Sequence, residues 1–177
     1  MTAATYDVVL LIEQPLSEQD ARQVRSLHED VADPVRYHLL LPVEDAATRV
    51  ETAMGSLAGG EMLASPMPAI DAADLQAVQR DLLDRARTDV AHCVKAVGPD
   101  ATGEVVSIDP VDALIAKVKE VQAAEAIILT RPHVIAEFFH LDWTSRARRK
   151  LGVPVLHLLE HENFDEQSGQ GEGVSGF

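Results

Sequence analysis

The chain has 177 residues, of which 46% are hydrophobic and 25% charged, a composition typical of one globular domain. Its net charge of −14 opposes binding to nucleic acid and to anionic membranes. A single cysteine, Cys93, excludes a disulfide framework and a zinc knuckle, so we expect a cytoplasmic protein in which Cys93 is a small core residue. The first residues lack the basic region of a signal peptide and an apolar run long enough for a membrane span, so we expect neither.

The first quarter of the chain predicts two strands separated by a helix. Continuous apolar runs at 6–14 and 35–43 are typical of strands that are buried on both faces of a parallel sheet. Ser17, with Asp20 three residues later, predicts the start of a helix whose apolar spacing continues through Val31.

Residues 44–70 mix Gly, Ser, Pro and Met without a period, which predicts an irregular excursion with one short helix at 45–54. A long amphipathic helix is predicted over 72–97, from an N-cap at Asp71 to a stop at Gly98. Its predicted inward face is Leu75, Val78, Leu82, Leu83, Ala86, Val90, Val94 and Val97.

The second half continues the alternation of strands and helices. Asp109 followed by Pro110 is a strong signal for a helix start. The predicted elements are strands at 102–109, 126–130 and 153–159 and helices at 110–124 and 134–151. Alternation of this kind predicts a three-layer α/β/α sandwich with a parallel sheet, a domain over 1–161 and a disordered acidic tail over 162–177.

Two motifs, "SIDPVDALI" and "AIILTR…VPVLHLL", make the chain resemble the universal stress protein family over roughly residues 5–160. The resemblance implies a Rossmann-like fold of the adenine nucleotide alpha-hydrolase type, with five parallel strands in the order 3-2-1-4-5. It also implies a role in stress response and a homodimer formed through the last strand, Pro154 to Leu159. Some members of the family bind ATP or AMP.

Nucleotide-binding members carry glycines after the fourth strand, because glycine lets backbone N–H groups close on phosphates. Placed on this sequence, those positions fall near Leu129, Pro132 and Asp142-Trp143, none of which is glycine. Pro132 has no N–H to donate, and Asp142 would repel a phosphate. The resemblance therefore implies a member whose nucleotide motif is degenerate.

Two main hypotheses about function follow. The first is a non-catalytic stress-response domain that binds a partner or a small molecule. The alternative is an adenine nucleotide binder in which side chains replace the glycine loop. The candidate ligand-binding residues are Glu13, Pro42, Val43, Thr130, Arg131, His133, Trp143, Thr144 and Ser145. Trp143 could stack on an adenine or fill the cavity, and the basic residues at 146–150 could hold an anion or end a helix.

Catalytic and metal sites are weakly indicated, and an enzyme of the wider nucleotide-hydrolase-like fold is the third hypothesis. The sequence has no Gly-x-Ser-x-Gly motif and no P-loop. His133 and His140 lie seven residues apart, outside the usual spacing of metal ligands, and His157 alternates with apolar residues as on a pleated strand. We therefore predict no catalytic residue and no metal site.

Overall fold

The computed structural model describes residues 4–43, 72–130 and 150–159. Strands and helices alternate over residues 6–130, as the hydrophobic pattern predicts. The elements are β1 (Tyr6–Ile12), α1 (Glu18–Ser26), β2 (Val35–Pro42), α2 (Ala72–Val97), β3 (Ala101–Val106), α3 (Pro110–Val121), β4 (Glu125–Thr130) and β5 (Val155–Leu159). The predicted excursion at 44–70, most of the helix at 134–151 and the tail at 162–177 lie outside the described residues.

The five strands form one parallel sheet in the order β3-β2-β1-β4-β5. β1 lies at its centre, where Leu10 is paired with Leu39 of β2 on one side and with Ile127 of β4 on the other. The sheet confirms the fold class and the strand order that the sequence and its resemblance implied. Among the described helices, none combines the length and the apolar character needed to cross a bilayer.

Two apolar cores, one on each face of the sheet, complete the three layers. Because side chains alternate along a strand, Val8 and Leu10 enter one core and Val9 and Leu11 the other. The first core includes Val24 of α1 and residues of α2, and the second includes residues of α3. Cys93 is buried in the first core, as predicted.

Helix α1 begins as predicted but ends earlier. Ser17 and Asp20 form a reciprocal capping box at its start. The helix ends at Ser26, so the prediction that it continues through Val31 is wrong. His28 explains the early end: its backbone N–H donates to the Arg25 carbonyl at 3.0 Å, while its ring Nδ1 lies 3.0 Å from the Val24 carbonyl. The ring thus occupies the acceptor that a continued helix would offer to the amide.

The capping box predicts a measurable loss for Ser17→Ala. Ser17 Oγ accepts a hydrogen bond from the Asp20 amide at 3.1 Å, and removal of an N-cap side chain typically costs about 1 kcal/mol. Urea unfolding should therefore show Ser17→Ala destabilised by about 1 kcal/mol. Ser26→Ala, in the last turn of the same helix, is the control and should lose less than about 0.5 kcal/mol. Equal losses in the two variants would contradict the capping role.

Helix α2 has the predicted bounds, but its inward face is shorter than predicted. Val78 is 37% exposed, whereas Leu82 and Val90 are each 8% exposed. Gly98, at φ +133°, supplies the predicted stop. Gly103 of β3 allows α2 to approach closely, because a Cβ at that position would lie 2.8 Å from Val94 Cγ2.

Candidate functional site

The order of the strands places a candidate site at the carboxyl ends of β1 and β4. The chain extends the sheet from β1 through β2 to β3 on one side and from β4 to β5 on the other. Ligands of parallel α/β sheets bind where the strand order reverses in this way. Glu13 directly follows β1, and Thr130 is the last residue of β4. The Glu13 N–H donates to the Leu129 carbonyl at 3.1 Å. Both predicted residues therefore lie at this carboxyl edge.

Thr130 is hydrogen-bonded to His157 on the neighbouring strand β5. Thr130 Oγ1 lies 2.8 Å from His157 Nε2, and Thr130 is only 7% exposed. Burial lowers the pKa of His157, which favours the neutral imidazole. Thr130 was predicted as a site residue, but its pairing with His157 was not, because that pairing depends on the register between β4 and β5.

The starts of α1 and α3 at this edge are closed by side chains of the protein. At α1 the Ser17 N–H and hydroxyl are bonded to Asp20 Oδ2, at 3.1 and 2.5 Å. At α3 the Asp109 carboxylate accepts from the amides of Val111 and Asp112, at 2.9 and 3.1 Å, as the sequence predicted. A helix start can bind phosphate through such N–H groups. At each of these starts a carboxylate already accepts the hydrogen bonds, and its negative charge would also repel an anionic ligand.

Pro42 and Val43 lie at the end of β2, where the sequence suggested that an adenine could be held. Pro42 has no N–H, and the Val43 N–H already donates to the Val106 carbonyl at 2.9 Å. Strand β3 ends at Val106, sooner than predicted, and leaves Ile108 64% exposed beyond it. Neither Pro42 nor Val43 therefore has a backbone N–H that is available to a ligand.

The remaining predicted site residues lie outside the described residues. They are Arg131, His133, Trp143, Thr144 and Ser145. Their proposed contacts with a ligand stay predictions from the sequence. Over 4–43, 72–130 and 150–159, no three His, Cys, Asp or Glu side chains are grouped closely enough to hold a metal ion.

A polar network at the opposite, amino edge was not predicted from the sequence. His28 Nε2 lies 2.5 Å from Glu125 Oε1, and Tyr37 Oη lies 2.9 Å from His28 Nδ1. Burial raises the pKa of Tyr37 to about 12, with Glu125 adding to the rise and Arg25 opposing it. The network joins the end of α1 to β2 and β4, so it fastens elements that are far apart in the sequence.

Asp7 is the acid of a second network on the other face of the same edge. Its Oδ1 lies 2.7 Å from His38 Nε2, its Oδ2 accepts from Thr5 Oγ1 at 2.7 Å, and Arg36 lies 3.8 Å away. Burial disfavours the charged form of Asp7, but the bonds from His38 and Thr5 and the charge of Arg36 outweigh burial and lower its pKa.

The lowered pKa of Asp7 predicts a loss of stability in acid. A carboxyl whose pKa is lower in the folded state stabilises fully above its unfolded pKa of about 3.9, and this contribution is lost as the pH falls through the folded pKa. The free energy of unfolding should thus fall less steeply below pH 4 in Asp7→Asn than in the wild type. Asp30→Asn, at an exposed carboxyl, should keep the wild-type slope. An unchanged slope in Asp7→Asn would contradict the assignment.

The sheet order and its carboxyl-edge site define a Rossmann-like α/β domain of the kind that binds ligands at a strand switch point. No model of a protein family matches the chain, and no curated protein matches it. Solved structures that are similar to it include a universal stress protein from Archaeoglobus fulgidus, with 14% identity, coverage of 86% of this chain and 93% of the other, and a TM-score of 0.42.

Two further similar structures come from the same family. One is a universal stress protein family protein from Arabidopsis thaliana with AMP bound, with 14% identity, coverage of 91% of this chain and 94% of the other, and a TM-score of 0.41. The other is a universal stress protein in complex with cAMP, with 16% identity, coverage of 88% and 98%, and a TM-score of 0.42. The sequence motifs suggested this same family. At such identities and TM-scores the similarity assigns no residue role here, and the fold is defined by the chain's own strand order and register.

Proposed function

We propose that the chain is a non-catalytic, cytoplasmic binding domain of the universal stress protein type that does not hold ATP in the manner of the family's glycine-motif members. The sheet order, the two sequence motifs and the absence of glycine at the motif positions support this proposal. In this account the domain acts in stress response by binding a partner or a small molecule other than a nucleoside triphosphate.

One observation carries the proposal: polar groups that a phosphate would contact at the carboxyl edge are already paired. Thr130 Oγ1 and His157 Nε2 are hydrogen-bonded to each other, and carboxylates of Asp20 and Asp109 accept hydrogen bonds at the starts of α1 and α3. A phosphate that displaced these groups would leave buried or charged partners unpaired, which costs free energy. The edge favours a neutral ligand or a protein surface over a phosphate.

Co-purified ligand tests this proposal directly. The protein is purified without added nucleotide and denatured, and the released material is separated by chromatography with absorbance detection. We expect no adenine nucleotide. Nucleotide released in a near-equal ratio to protein would contradict the proposal.

The alternative function is adenine nucleotide binding through side chains of the loop after β4. The switch point favours it, because Thr130 ends β4 at the place where such a loop would begin. In this alternative Arg131, Thr144 and Ser145 supply the donors to phosphate. Arg131→Ala and Ser145→Ala should then each weaken ATP binding, whereas Arg36→Ala, at the other edge of the sheet, should not.

A homodimer through Pro154 to Leu159 remains a proposal. Strand β5 is the outermost strand on its side of the described sheet, so its outer backbone groups could pair with a second copy. Sedimentation of the full chain should give twice the monomer mass, and Leu156→Pro should reduce the dimer. A monomeric wild-type protein at all concentrations would contradict this assembly.

A further inference from the structure

Three side chains form a hydrogen-bonded chain across β3, β2 and β1 at the amino edge of the sheet. Thr102 Oγ1 lies 3.1 Å from His38 Nδ1, and His38 Nε2 lies 2.7 Å from Asp7 Oδ1. Because β2 lies between β1 and β3, the imidazole meets one partner on each neighbouring strand. His38 is 31 positions from Asp7 and 64 positions from Thr102 in the sequence, so the three side chains meet only because their strands are neighbours in the sheet.

The positions of the protons follow from what each group can donate. The lowered pKa of Asp7 favours its carboxylate, which only accepts, so His38 Nε2 carries the hydrogen of that bond. Nδ1 of a neutral ring then presents a lone pair to the Thr102 hydroxyl. The Tyr37 carbonyl is a second acceptor, but it lies 3.5 Å from Thr102 Oγ1, at the limit of a hydrogen bond. The shorter contact favours His38 as the acceptor.

Exposure increases along the chain from the acid to the hydroxyl. The side chains of Asp7 and His38 are 11% and 12% exposed, whereas Thr102 is exposed on the edge strand β3. Nucleophiles in acyl transfer are activated by an imidazole that contacts an accessible hydroxyl and is itself oriented by a shielded carboxylate. Such a triad is recognised by its geometry, and it occurs on unrelated folds.

We propose that Thr102 is a covalent modification site that accepts an acyl group from small activated esters. His38 activates the Thr102 hydroxyl, and Asp7 positions the His38 ring. The site lies at the amino edge, away from the carboxyl edge of the proposed binding function, and does not depend on it. The reaction is a single acylation of the protein, so the domain need not turn over a substrate.

The step balances without any redox partner. Thr102 Oγ1 attacks the ester carbonyl as His38 Nδ1 takes the hydroxyl proton, and a new Oγ1–C bond forms. Collapse of the tetrahedral intermediate breaks the bond between the carbonyl carbon and the leaving oxygen, and the leaving group departs as its anion or takes the proton from His38. In the first case the His38 proton passes to water. The products are acyl-Thr102 and the free alcohol or phenolate.

The test uses the full chain and 4-nitrophenyl acetate as the probe. We expect a stoichiometric release of 4-nitrophenolate and one acetyl group on the peptide that contains Thr102, located by mass spectrometry. A general base contributes about 100-fold or more, so His38→Gln should reduce the labelling rate by about that factor. Thr102→Val lacks the attacking hydroxyl and should abolish labelling at position 102. Thr88→Val is the matched control, because the exposed Thr88 hydroxyl donates to the Asp84 carbonyl at 2.9 Å and should not affect the rate.

Two results would overturn the proposal. Acetylation spread over lysines and unchanged by Thr102→Val would show ordinary surface reactivity. Labelling that survives Thr102→Val but is lost in His38→Gln would make His38 the nucleophile. The positioning role of Asp7 is read from the ¹⁵N NMR spectrum of His38 in Asp7→Asn. We expect the hydrogen to leave Nε2 in part, and an unchanged tautomer in that variant would contradict the role.

Discussion

Replacing Glu125 by alanine should lower the free energy of unfolding by up to about 3 kcal/mol. The variant leaves the His28 ring, whose side chain is only 4% exposed, without the carboxylate 2.5 Å away. Loss of the acceptor leaves the buried ring N–H of His28 without a partner, which typically costs about 1–3 kcal/mol, and more where the hydrogen bond involves a charged group. Glu125 is itself 21% exposed, so we expect no more than about 3 kcal/mol. Urea unfolding at pH 7 measures the difference.

Glu120→Ala is the matched control for Glu125→Ala. Glu120 pairs with Lys117 at 2.8 Å, but its side chain is 66% exposed, and exposed ion pairs contribute about 0–1 kcal/mol. The double variant with His28→Gln and Glu125→Gln should be destabilised by less than the sum of the losses in the two corresponding single variants. Losses that add without coupling would show that the contact does not stabilise the fold.

Leu10→Ala should destabilise the domain by about 3 kcal/mol. Leu10 lies on the central strand, is fully buried and belongs to the core that α1 and α2 cover. Truncation of a buried leucine removes its transfer free energy and leaves a cavity, at a cost of about 2–5 kcal/mol. The neighbouring strands β2 and β4 hold the backbone on both sides, so little collapse into the cavity is expected. The midpoint of urea unfolding should fall accordingly.

Val78→Ala is the control for the position of the core. Val78 was predicted to face inward, but it is 37% exposed, so its truncation should change stability by less than about 0.5 kcal/mol. A loss at Val78 as large as the loss at Leu10 would show that the first turns of α2 are covered, which would contradict the exposure of Val78.

Local chemistry made most of the described fold predictable from the sequence. Continuous apolar runs marked the strands, and the side chains of Ser17 and Asp109 marked two helix starts that the structure confirms. The strand order came from the family resemblance, since apolar runs do not record which strands are neighbours. Errors arose where tertiary contacts override periodicity: the His28 ring ends α1, and the amino-terminal turns of α2 leave Val78 exposed.

The polar networks could not be predicted in the same way. His28 and Glu125 are 97 residues apart, and Thr130 and His157 are 27 apart, so each pair depends on the register of parallel strands. The composition of the chain and the spacing of its residues do not predict that register. The strand ends of the candidate site were predictable because strands of one parallel sheet end at a common edge. The pairing of its donors became evident only in the structure.

Thermal unfolding with and without ATP and magnesium tests the central claim most directly. A ligand present at about 100 times its Kd stabilises the native state by about 2.7 kcal/mol, which raises Tm by several degrees. The paired donors at the carboxyl edge predict that millimolar ATP or AMP leaves Tm unchanged, as GTP should in the parallel control. A rise in Tm that is specific to adenine nucleotides and is abolished by Arg131→Ala would contradict the account and establish the nucleotide-binding alternative.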